Sequence, residues 1–151
     1  MASIEETLED SVVAELKSSV TGIDDKVYPS ASIDEDIHRI SQQPPVIFVQ
    51  CTGSTPDEKQ PKGCPTQRRR VFTITVLFVG ENLRVTDEAR ATVGIHDLKS
   101  QARECLQGFR PEGSNGAMEE GDEEERGAFE DSNLLVWSQD WTCPGIVNAL
   151  T

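Results

Sequence analysis

The segment from Arg69 to Val79 constrains this chain more than any other, because its alternation leaves neither side polar. Phe72, Ile74, Val76 and Phe78 share one face at period two, and Val71, Thr73, Thr75, Leu77 and Val79 share the other. Such a strand belongs at the centre of a sheet, with both faces at least partly buried. Its length, about ten residues, exceeds the usual five or six. Gly80 is expected to end it.

The remaining elements are read outward from this strand. Ser3 and Glu6 form an S-x-x-E capping box, and Ile4, Leu8, Val12, Leu16 and Val20 recur at i+4, which predicts an amphipathic helix with Gly22 as its C-cap. Lys26 to Pro29 reads as a short extended piece, and Ile33, Ile37 and Ile40 suggest one or two helical turns. Pro44 and Pro45 precede a β-branched and aromatic run that predicts a strand over 46–52. Prolines 56, 61 and 65 and glycines 53 and 63 then predict a long loop or arm, spanning 53–70 with its basic end. A second helix is expected from Ile95 to Gly108, with Leu98, Ala102, Cys105 or Leu106, and Phe109 in register; an earlier start near Thr86, interrupted at Gly94, is the alternative. The Gly- and Pro-rich stretch that follows reads as an acidic flexible loop over 110–131. A last strand is expected from Leu134 to Trp141, with Leu135, Trp137 and Trp141 on one face and Cys143, Pro144 and Gly145 closing it. The fold class is α+β: one domain over 1–151, with a small, mostly antiparallel or mixed sheet and two main helices packed against it.

Charge narrows the function classes. The net charge of -13 disfavours generic nucleic-acid binding. Nine acids and two arginines between Arg110 and Asp131 concentrate the excess in one segment. No apolar run approaches the roughly 18 residues that span a bilayer, so no membrane partner is expected. The N-terminus is acidic and lacks the basic and apolar regions of a signal peptide. The four cysteines, Cys51, Cys64, Cys105 and Cys143, include no C-x-x-C pair and are read as buried free thiols, although a Cys51–Cys64 bridge is sterically conceivable.

Catalytic signatures are missing. His38 and His96 stand apart from each other and from any cysteine at ligand spacing, so no metal site is expected. There is no nucleophile elbow and no phosphate-binding loop, since the glycines of 108–121 follow a helix instead of preceding one. Neither a cofactor nor an enzymatic activity is expected. The acids Glu119, Glu120, Asp122, Glu123, Glu124 and Glu125 read either as a solvated loop or as the wall of a pore that keeps DNA from sticking. Lys59, Lys62, Arg68, Arg69 and Arg70 form the basic cluster, either solvated or docking on an acidic surface of an adjacent copy. An acidic segment and a basic arm on one chain suit head-to-tail contacts that close into a ring.

In order and wording, the segments IEETLEDSVVAELK, PPVIFVQCTG, RRRVFTITVLFVGENLR, GIHDLKSQARECLQGF and LLVWSQDW resemble the tail terminator, or tail completion, proteins of Mu-like contractile-tailed phages. The resemblance implies a virion protein, made in the host cytoplasm, that forms a sixfold ring on the tail tube. Such a ring stops tube and sheath growth, joins the tail to neck or connector proteins, and lets DNA pass without binding it specifically. It marks no individual residue. Two other classes stay open: a small oligomeric ligand-binding or regulatory module, which requires a pocket with convergent polar groups, and a small hydrolase, which requires perturbed titratable groups clustered in a cleft.

Overall fold

The computed structural model describes residues 3–21, 27–29, 46–56, 67–81, 95–129 and 134–148. Helix α1 runs from Ile4 to Ser19, and the Ser3 side chain accepts the Glu6 N–H at 3.2 Å, as the capping box predicts. It ends when Val20 turns extended, its N–H still donating to the Leu16 carbonyl. Gly22, the expected C-cap, lies outside the described residues, as do Ile33, Ile37, Ile40, His38, Cys64 and the alternative helix start near Thr86. Strand β1 (Val27–Pro29) is the short extended piece. Then come β2 (Val46–Pro56), β3 (Gln67–Glu81), α2 (Ile95–Leu106), β4 (Glu119–Phe129) and β5 (Leu134–Asn148).

The strands form one sheet in the order β1-β2-β3-β5-β4, with β1 parallel to β2 and every other pair antiparallel. With the two helices of the described residues this is an α+β fold, and β3 is central, as its two apolar faces require. Leu8, Val12 and Leu16 of α1 and Leu98, Ala102 and Leu106 of α2 pack on Phe72, Ile74, Val76, Phe78 and Trp141 to form the main core. Each of the Val, Leu, Ile and Phe side chains among them contributes about 1.5–3 kcal/mol when fully buried. On the other face Val46, Phe48, Leu77, Val79 and Val136 form a second buried cluster against Tyr28.

Several boundaries differ from the sequence reading. Gly53–Pro56, expected in the arm, continues β2 past a bulge between Cys51 and Gly53, and residues 67–70, also expected there, start β3. Gly80 does not end β3, which pairs with β5 through Glu81. Cys143, Pro144 and Gly145 do not close the last strand, because they lie opposite Phe72, Val71 and Arg70 and extend the ladder to Asn148. The largest correction concerns the acidic segment. Residues 110–118 are tied down, with Glu112 N–H donating to Ser11 Oγ at 3.0 Å and Asn115 N–H to the Pro144 carbonyl at 2.8 Å. Glu119–Phe129 is a strand in register with β5 instead of a loop.

Candidate functional site

Strand formation sorts the acids of β4 by face. Glu120 and Glu123 lie opposite Trp141 and Gln139, on the side of the helices, whereas Glu119 and Glu124 lie opposite Thr142 and Ser138. Lys99 and Arg103, four residues apart on α2, meet the first pair: Lys99 Nζ is 2.7 Å from Glu123 Oε1, and Arg103 reaches Glu120 Oε1 and Glu123 Oε2 at 2.8 Å each. The Lys99 side chain is 7% exposed and lies over the Trp137 ring, 3.6 Å from its centroid, with His96 edge-on to the same ring. Beneath this seam Trp141 Nε1 donates to Gln139 Oε1 at 3.0 Å. Like charges therefore share one strand because α2 neutralises part of them.

The opposite face carries a polar strip. Thr75 donates to Asp140 Oδ1 at 2.8 Å, and Thr52 Oγ1 lies 3.3 Å from Thr75 Oγ1. At the adjoining bulge Gly121 approaches so closely that a Cβ there would sit 2.9 Å from the Asp140 carbonyl oxygen. Asp122 is exposed within that bulge. Glu125 pairs through its backbone with Trp137. Asp140 was not singled out from sequence; its place opposite Thr75 on the central strand could have been found only from the β3–β5 register.

The basic cluster is not brought to the acidic strand. Arg70 lies opposite Gly145, whereas β4 begins opposite Thr142, so the arginine end of β3 reaches past the end of β4 with β5 between them. Arg70 is engaged within its own chain, donating from Nε to Ser54 Oγ at 2.8 Å and from Nη2 to the Ser54 carbonyl at 3.1 Å. Arg69 is half-buried. Arg68 contributes backbone to β3 opposite Val147, and its side chain, like Lys59 and Lys62, lies outside the described residues.

A chain in the solved virion of a native gene transfer agent particle is similar in structure to this one, with a TM-score of 0.59 at 10% identity, covering 99% of this chain and 100% of that chain. The fold is shared with a virion component. The acidic strand falls inside the matched length. The sequence matches no protein-family profile and no curated protein.

Of the four described groups with shifted affinities, Cys51, Cys143 and Glu9 are neighbours, while Cys105 has Glu15 and Glu104 about it. Cys51, Cys105 and Cys143 are free thiols whose pKa is pushed up to about 11, in each case chiefly by burial. High-pKa thiols are poor nucleophiles at neutral pH. Burial also raises the Glu9 carboxyl, and Asp10, Glu6 and Glu5 add to the rise, while the Cys51 N–H that it accepts at 2.7 Å opposes it. Among the described residues no group of His, Cys, Asp and Glu is arranged to hold a metal.

Proposed function

We propose that this chain is a structural virion protein, a tail terminator that assembles as a hexameric ring on the end of the tail tube. The likeness of fold to a chain of a gene transfer agent virion, over essentially the full length of both chains, carries the reading. The order of its segments, similar to that of the terminators of Mu-like phages, supports the finer assignment. In this account the ring halts tube and sheath growth and offers its outer surface to neck or connector proteins. DNA passes through it unbound. Glu119 and Glu124 face away from the cations of α2 and, with the exposed Asp122 and repeated by symmetry, would present negative charge to that DNA. Subunits join head to tail, the basic arm with Lys59, Lys62 and Arg68 meeting an acidic surface of the next copy.

The test is a capping assay. Purified tail tubes with open ends are incubated with the protein, then offered more tube subunit and imaged by electron microscopy. Tubes carrying an extra ring at one end and failing to elongate there support the assignment. Unchanged elongation with bare ends rejects it.

A further inference from the structure

We propose that the outer edge of β2 from Thr52 to Pro56, flanked by Glu5 and Glu9 of α1, is the surface on which the basic arm of a second copy docks. The inference rests on the ring reading and names the receptor for its subunit contact. β1 pairs only with Ile47–Val49, so β2 runs on without a strand on its outer side among the described residues. Thr52, Gly53, Thr55 and Pro56 are exposed. Just before this stretch the Cys51 N–H donates to Glu9 Oε1 at 2.7 Å, which holds a carboxylate of α1 beside the strand. A length of β2 with no strand on its outer side among the described residues and a carboxylate beside it suits the addition of a basic strand.

The two edges of the sheet differ in how they treat a newcomer. β4 carries a run of carboxylates and two register shifts, features that keep an edge from pairing, and two of its acids are already bound to α2. From Gln50 to Pro56, β2 has no charged residue. Beside it α1 sets Glu5, Glu6, Glu9 and Asp10 in two turns, while Lys99 and Arg103 of α2 are engaged with β4 and Lys17 sits in the last turn of α1. From Lys59 to Arg68 the arm carries three cations and no acid. That complementarity joins two different surfaces, and a heterologous contact of this kind closes a ring.

A charge swap tests the proposal. One variant combines Glu5→Lys, Glu6→Lys and Asp10→Lys with Glu9→Gln, which reverses the charge of the patch and keeps an oxygen for the Cys51 N–H; the other combines Lys59→Glu, Lys62→Glu and Arg68→Glu. Circular dichroism checks that both stay folded, and native mass spectrometry follows assembly. Each variant alone should need at least about tenfold more protein to assemble than the wild type, and an equimolar mixture should recover assembly, because the reversed arm then meets the reversed helix. Wild-type assembly by the α1 variant alone, or a mixture no better than its components, overturns this receptor while leaving the ring intact. A wild type that stays monomeric throughout overturns the ring reading and this inference together.

Discussion

Lys99 Nζ sits 3.6 Å from the centroid of the Trp137 ring. The contact matters because the same ammonium is 2.7 Å from Glu123, so one cation of α2 holds both the penultimate and the last strand of the sheet order. Replacing it with methionine preserves the stem and leaves Glu123 with Arg103 alone. Lys99→Met should lower stability by about 2 kcal/mol, less than a fully buried pair would cost, since Glu123 retains some solvent access. Urea unfolding measures this. Arg103→Met, at a more exposed position, should cost less and its effect should shrink at high salt.

The bulge at Gly121 gives a steric prediction. A Cβ there would meet the Asp140 carbonyl at 2.9 Å, and backbone cannot yield as a side chain does. Gly121→Ala should destabilise by about 1–3 kcal/mol. Hydrogen exchange should show amides of β4 opening more readily while those of β3 keep their protection.

How far the sequence shows these features depends on where the stabilising contacts come from. α1 and β3 are legible because the cap and the apolar periodicity that specify them lie within the segments themselves. β4 is not, because EEGDEEERGAF has neither alternation nor strand propensity, and its stability comes from β5 and from Lys99 and Arg103. The signal that existed was the pair of cations four apart on α2, matched by Glu120 and Glu123. Pro56 and Pro144 made β2 and β5 look short, whereas Pro56 sits at the end of β2 and Pro144 faces Val71 in a ladder that continues past it. The basic cluster was visible by composition, but the turn of Arg70 onto Ser54 is a tertiary fact.

Glu9 supplies a pH dependence. Its folded pKa is raised above the ordinary value, so the folded state favours the protonated form and the ionised carboxylate weakens the fold at neutral pH. That penalty is fully present above the folded pKa and is relieved as pH falls through it towards 4.5. Glu9→Gln should therefore match or exceed wild-type stability at pH 7, with any advantage vanishing near pH 4. Glu9→Ala, which leaves the Cys51 N–H without its acceptor, should lose about 1 kcal/mol at either pH.

The thiols should be inert in the native state. With pKa values near 11, Cys51, Cys105 and Cys143 are almost wholly protonated at pH 7. In a Cys64→Ser background, Ellman's reagent should react about 100-fold or more slowly than with an ordinary thiol, and rapidly once urea unfolds the chain.

The central claim is that this chain works by assembling. Native mass spectrometry over a concentration series, with negative-stain imaging of the largest species, tests it most directly. The account predicts hexamers that image as rings with a central hole. A dimer or trimer that persists unchanged to the highest concentration would contradict it and favour a small binding module instead.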